Sequence, residues 1–281
     1  MKIHLIAAAR PNFMKIAPLY HELAARKNLE PVIVHTGQHY DLNMSDIFFK
    51  DFGLPAPHIH LGVGSGTHAQ QTGNVMIAYE KVLFDTKPDL VVVVGDVNST
   101  VAATLAAVKL GIQTAHLEAG LRSGDRTMPE EINRIVTDAI ADHLWTPSLD
   151  GNDNLRKEGV PDEKITLVGN IMIDSLEMAR QRIEAQAVYL DYGCEKKQYG
   201  LVTLHRPSNV DHPDTLTLLC TELARISESL PLIFPIHPRT RANLEKFGLS
   251  HILADNGNIL LVEPAILNLA IGLILNSAEV N

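Results

Sequence analysis

The sequence predicts an α/β protein made of two Rossmann-like domains facing a cleft. Three observations carry that expectation. Short aliphatic runs such as Leu90 to Val94 alternate with helical segments along the chain. Polar residues gather where those runs end. After a helix beginning near Ile171 the alternation lapses in a polar, irregular linker from Ala185 to Gln198 and then restarts, which places the domain boundary between about 170 and 198. The expected division is residues 1–170, carrying a set of carboxylates, and residues 171–281, a shorter second domain.

The first strand is expected at Ile3 to Ala9, followed by Arg10-Pro11 and a helix from Phe13 to Arg26. This strand–turn–helix unit has neither G-x-G-x-x-G nor a P-loop, so it does not grip a dinucleotide in the usual way. It does offer Arg10 and Lys15 beside a helix start, which suits an anion. A second strand, Pro31 to His35, ends in a polar loop containing Gln38 and His39. His58 and His60 share one face of a possible strand, but no third ligand follows at a metal-site spacing.

A helix from Thr67 to Phe84 leads into residues 89–134, around which the chain is organised. Leu90 to Val94 reads as a strand buried on both faces and ends in Gly95-Asp96, with Asn98 or Ser99 opening the next helix. Gln113 to Leu117 ends in a second acid, Glu118, before Ala119-Gly120. Glu130 lies in Pro129-Glu130-Glu131 at a helix start. Ligands of open parallel sheets bind beyond the carboxyl ends of the strands, so these acids aim at one crevice and suit proton transfer. Residues 129–144 form an amphipathic helix whose stripe, Ile132, Ile135, Val136, Ala139 and Ile140, is expected in the core.

Further strands are expected near Leu144 to Thr146 and Ile165 to Val168. In the second half, Leu201 to Leu204 ends in His205-Arg206, Leu232 to Ile236 ends in His237-Pro238-Arg239, and Ile259 to Val262 ends in Glu263. Paired His and Arg at neighbouring strand ends suit a phosphate group.

Composition bounds the function. The chain has 281 residues, 46% hydrophobic and 20% charged, as soluble globular domains do. A net charge of −9 argues against general binding to nucleic acid or anionic membranes. No signal-peptide pattern or apolar run of ~18 residues occurs, which makes the cytoplasm the default location. Cys194 and Cys220 have no metal-type spacing and predict no disulfide.

With these residues laid out, the chain resembles the non-hydrolysing UDP-N-acetylglucosamine 2-epimerases. The matching segments are Arg10-Pro-x-x-x-Lys15-x-x-Pro18, Thr36-Gly-Gln-His39 and Gly95-Asp-Val-Asn-Ser-Thr100. They continue with His116-Leu-Glu-Ala-Gly-Leu-Arg122, Pro129-Glu-Glu-Ile-Asn-Arg134, Leu204-His-Arg-Pro-Ser-Asn209 and His237-Pro-Arg-Thr240. The resemblance implies a glycosyltransferase-B type fold, a homodimer, and a product used in cell-surface polysaccharide synthesis. It also implies chemistry with no cofactor, neither NAD nor metal.

That chemistry interconverts UDP-GlcNAc and UDP-ManNAc. Cleavage of C1–O gives oxocarbenium character that acidifies C2–H; elimination yields 2-acetamidoglucal, and UDP adds back after C2 is reprotonated on the other face. The resemblance gives Asp96, Glu118, Glu130 and His205 the catalytic roles. It places Arg10, Lys15, Gln38, His39, Arg134, Arg206, His237, Arg239 and Ser277 on the nucleotide-sugar.

The C-terminus departs from the family pattern. Ala278 and Glu279 follow Ser277 where that pattern has a glycine pair, and the segments after it have no counterpart, so the second domain is expected to be incomplete. The apolar residues between Ile266 and Leu275 then need a partner. Rival readings are a hydrolysing 2-epimerase, a glycosyltransferase of the same fold, and an inactive truncated remnant.

Overall fold

The computed structural model describes residues 1–8, 10–37, 52–254 and 256–263; for Arg10 and Arg182 it describes the backbone alone. The chain divides into two compact units, Met1–Met178 and Ala179–Asn281.

The described strands of the first unit are β1 (Lys2–Ala7), β2 (Glu30–His35), β3 (Ile59–His60), β4 (Leu90–Val94), β5 (Gln113–Leu117), β6 (His143–Thr146) and β7 (Ile165–Leu167). They form one sheet in the order β3-β2-β1-β4-β5-β6-β7, parallel throughout. The connecting helices are α1 (Arg10–Ala24), α2 (His68–Thr86), α3 (Asn98–Lys109), α4 (Pro129–Ile140) and α5 (Leu149–Lys157), with α6 (Ile171–Gln186) following β7. This is the doubly wound Rossmann order, and its switch point lies between β1 and β4, where crossovers leave on opposite faces.

β4 explains the centre of the sheet. Its residues Val91 to Val94 are all buried, and β-branched side chains suit a strand covered on both faces. One core joins Ile6, Val34, Val91 and Val93 to Tyr79 and Leu83 of α2 and Ala103, Ala106 and Ala107 of α3. The alanines let α3 lie close to the sheet. α2 opens with a capping box in which Thr67 and Gln70 each satisfy the other's backbone N–H. Gly120 marks the tightest packing, because a Cβ there would lie 2.3 Å from the carbonyl oxygen of Gly151.

Two sequence expectations need correction in this unit. Neither Asn98 nor Ser99 caps α3: Val97 takes the N-cap position without a side-chain bond, and Asn98 donates to Gln71 Oε1 at 2.7 Å. The apolar stripe of α4 is not its core face either. Ile132 is 37% exposed and Ala139 is exposed, while Glu131, Thr137 and Asp138 are buried. Periodicity locates a stripe, but it does not say which stripe the neighbours cover. Here the covered side is polar, with Glu131 and Asp138 hydrogen-bonded and the Thr137 hydroxyl without a hydrogen-bond partner among the described residues.

In the second unit, β8 (Gly200–Leu201), β9 (Leu232–Pro235) and β10 (Ile259–Val262) form a parallel sheet in the order β10-β9-β8. Its helices include α7 (Pro207–Val210), α8 (Pro213–Ser227), α9 (Pro238–Lys246) and α10 (Ser250–Ala254). Leu216 and Cys220 of α8 pack with Leu232, Phe234, Leu244 and Leu253. β8 is shorter than the expected strand over 201–204. After Val202 donates to Ile233 O the chain leaves the ladder, and Pro207 starts a helical turn. The polar stretch from Ala185 to Gln198, expected to be a linker, carries ordered structure as well. α6 runs to Gln186, a 3-10 turn covers Val188–Tyr192, and Tyr189 stacks on buried Tyr199. Among the described residues, no helix is long and apolar enough to cross a membrane.

Candidate active site

The site is built at the carboxyl ends of β1, β4 and β5. Asn12 on α1 accepts from Ala8 N–H at 3.2 Å and donates to Val94 O at 3.2 Å, joining the two strands that flank the switch point. Gly95 follows with φ +70°, and a Cβ there would meet Lys15 Nζ, Asn12 Nδ2 and Glu118 Oε2 at 3.5–3.7 Å. Three site residues therefore converge on one backbone position, Gly95. Lys15 Nζ donates to Glu118 Oε2 at 2.5 Å, with both side chains largely buried. Glu118 adopts φ +74°, a left-handed conformation that a non-glycine residue holds at a cost. Its N–H and that of Ala119 both donate to Trp145 O, which pins the turn to β6.

Asp96 does not cap α3. Arg134 Nη2 donates to its Oδ2 at 2.5 Å, and Asn133 Nδ2 donates to its backbone oxygen at 2.8 Å. Arg134 also reaches Glu131 Oε2 at 2.9 Å. The two carboxylates raise the affinity of the guanidinium for its proton against the opposing effect of burial.

The adjacent acids on α4 have different environments. Burial alone would raise the Glu131 carboxyl, but Ser123 N–H, Arg134 and Gly124 N–H outweigh it and hold the group at about 2. Glu130 is half-buried, and its side chain makes no hydrogen bond or ion pair with the described residues. Glu131 is structural by its contacts, and Glu130 is left available.

A cluster that the sequence reading missed lies beneath these acids. His116 Nδ1 is 2.6 Å from Asp138 Oδ1, and His116 Nε2 is 2.8 Å from Gly95 O. Asp138 Oδ2 accepts from Gly120 N–H at 3.0 Å and Arg122 Nη1 at 2.8 Å, and Arg122 also forks onto Glu158. Burial would raise the Asp138 carboxyl; His116, Gly120 N–H and Arg122 overcome it and hold the group ionised. The available signal was an imidazole inside an apolar strand and an aspartate inside an amphipathic helix.

In the second unit, His205 and His237 are exposed at the ends of neighbouring strands, with ring centroids 6.2 Å apart. Thr240 Oγ1 donates to Leu204 O at 2.6 Å and holds the two loops together. His237 caps α9 by accepting from Arg239 N–H at 3.2 Å. Arg206 is exposed at the start of α7. Arg239, expected at a phosphate, forks its guanidinium onto Asp211 and holds that carboxylate below its usual range. Gln38, His39, Ser277 and the apolar segment Ile266 to Leu275 lie outside the described residues, as does the Arg10 side chain.

Among the described residues, no group of three or more His, Cys, Asp or Glu side chains is placed to hold a metal. His35 and His60 meet at 3.4 Å between their Nδ1 atoms, while His58 Nδ1 accepts from Ile33 N–H.

Comparison with known proteins follows the same line. The family described as UDP-N-acetylglucosamine 2-epimerase matches residues 21–278. A Methanococcus maripaludis protein named UDP-N-acetylglucosamine 2-epimerase homolog is 44% identical over 266 residues, covering 94% of this chain and 73% of its own length. A Pseudomonas aeruginosa protein named UDP-2,3-diacetamido-2,3-dideoxy-D-glucuronate 2-epimerase is 43% identical over 252 residues, covering 89% of this chain and 70% of its own length. The crystal structure of Methanocaldococcus jannaschii UDP-GlcNAc 2-epimerase in complex with UDP-GlcNAc and UDP aligns with a TM-score of 0.81 at 40% identity, over 99% of this chain and 77% of that one. The shared fold is glycosyltransferase-B-like. By sequence, by fold and by the carboxylates its parallel sheet presents, this chain belongs to the UDP-N-acetylglucosamine 2-epimerase family.

Proposed function

We propose that this chain inverts C2 of a UDP-linked 2-acetamido sugar, interconverting UDP-GlcNAc and UDP-ManNAc through elimination and re-addition of UDP. The observation that supports this most is the set of acids at two strand ends and at the start of α4: Asp96 on Arg134, Glu118 on Lys15, and the Glu130 side chain with no partner among the described residues. Inverting a carbon without a neighbouring carbonyl requires a base on one face and an acid on the other, together with stabilisation of a departing diphosphate. Asp96, Glu118 and Glu130 take the acid–base and charge-stabilising roles at C1 and C2. His205 assists at the diphosphate. Arg10, Lys15, Gln38, His39, Arg134, Arg206, His237, Arg239 and Ser277 are assigned to nucleotide-sugar binding, with Arg239 leaving Asp211 to do so. We assign the carboxylates to residues 1–170 and nucleotide binding to 171–281, and the chain to the cytoplasm.

A homodimer is part of this reading. Ile77 and Phe84 of α2 and Ile132 of α4 are exposed apolar side chains on helices that pack in series through α3, and a second copy would cover them.

Two relatives at almost equal identity carry names with different substrates, so the test offers both. UDP-GlcNAc and UDP-2,3-diacetamido-2,3-dideoxy-glucuronate are each incubated with the chain in D₂O and followed by proton NMR. Deuterium at C2 together with UDP-ManNAc signals is the expected result. Exchange with the diacetamido-glucuronate alone would reassign the substrate. No exchange with either, from folded protein, would sink the enzymatic reading.

A further inference from the structure

We propose that the buried His116–Asp138 pair is the positioning unit of the acid site, holding the ends of β4 and β5 and the helix α4 in one frame. The proposal deepens the epimerase reading and rests on it for its catalytic consequence.

The geometry is specific. Both side chains are 1% exposed, so neither can touch a substrate. Gly95 O is a pure acceptor and faces Nε2, while Asp138, which already accepts from Gly120 N–H and Arg122, faces Nδ1, so the ring bridges the two. Each end of the ring therefore locks a group next to a candidate catalytic acid. Gly95 directly precedes Asp96. His116 is two residues before Glu118, and Asp138 closes the turn after Glu118 through Gly120 N–H. Asp138 also lies on the helix that supplies Glu130 and Arg134. A buried polar pair stabilises little compared with apolar packing of the same volume, but it does restrict geometry. What it restricts here is a glutamate in a left-handed conformation, whose carboxylate must meet Lys15.

The test compares wild type with Asp138→Asn, His116→Gln and His116→Ala in the full chain. Asp138→Asn should lower kcat for C2 exchange on the order of a hundredfold, as expected when reacting groups are displaced by about 1 Å. KM should change by no more than about threefold, because ground-state binding is untouched. His116→Gln retains an N–H able to reach Gly95 O, and should keep several-fold more kcat than His116→Ala. The Cα chemical shift of Glu118, which reports its φ, should move in Asp138→Asn without any substrate present.

Unchanged kcat per folded molecule, or a pure rise in KM, would overturn the proposal. So would a Glu118 shift identical to wild type in both Asp138→Asn and His116→Gln. If Asp138→Asn does not fold, the two His116 variants decide the question. If wild type shows no exchange, the epimerase reading fails, and the Glu118 shift by itself decides whether the pair positions this residue.

Discussion

Lys15 Nζ lies 2.5 Å from Glu118 Oε2, joining the helix after β1 to the residue after β5 across the intervening end of β4. The contact spans 103 residues of sequence, and no local preference dictates it. Glu118→Gln should reduce C2 exchange by about 10²–10⁴-fold, the usual contribution of a positioned acid or base. Lys15→Met strands a mostly buried carboxylate and should cost about 1–3 kcal/mol of stability. Combining the two should recover stability without recovering exchange, as read by denaturant unfolding and NMR. Full stability loss in the double variant would mean that the pair is not coupled.

Glu130 and Glu131 should respond oppositely to the same chemical change. Glu131→Gln weakens acceptance from Ser123 N–H, Gly124 N–H and Arg134, and should lower stability by about 1–3 kcal/mol. Glu130→Gln breaks no contact among the described residues and should leave the melting temperature in place while abolishing most exchange. Equal melting and equal activity loss in the two variants would contradict the division of roles.

His4 gives the first unit an acid sensitivity. Burial, with a smaller contribution from Lys2, lowers its imidazole to about 4; Nδ1 faces Tyr79 OH at 3.0 Å, and Nε2 has no hydrogen-bond partner among the described residues. Because the folded value lies below the unfolded one, the unfolded chain takes up the proton first as pH falls. Stability is therefore complete above about 6.5 and declines between there and about 4, by roughly 2–3 kcal/mol from this group. His4→Gln should flatten that part of the stability–pH curve by the same amount. A curve unchanged in shape would show that other groups account for the decline.

The doubly wound architecture was legible in the sequence because each parallel strand announces itself locally. Val91 to Val94 can satisfy its own preference only when covered on both faces, and the acids that end β4 and β5 stand where such sheets bind ligands. Asp96, Glu118 and Glu130 could therefore be named before any coordinates. Other features had no local signature. The stripe of α4 looked like core from its period alone, yet the buried face of that helix carries Glu131 and Asp138.

What the sequence alone determined was the order of elements, the family, and the types of side chain brought to the strand ends. Short-range patterns and motif spacing encode those properties. Only the tertiary structure decided which acids are occupied and which are available. It placed Lys15 on Glu118, Arg134 between Asp96 and Glu131, and Arg239 on Asp211, and it set His116 between Gly95 and Asp138. Apart from Arg134 and Glu131, which are three residues apart on α4, these partners lie far apart or on different elements of the chain, and their energies depend on distance and burial. Neither quantity exists until the sheet has formed.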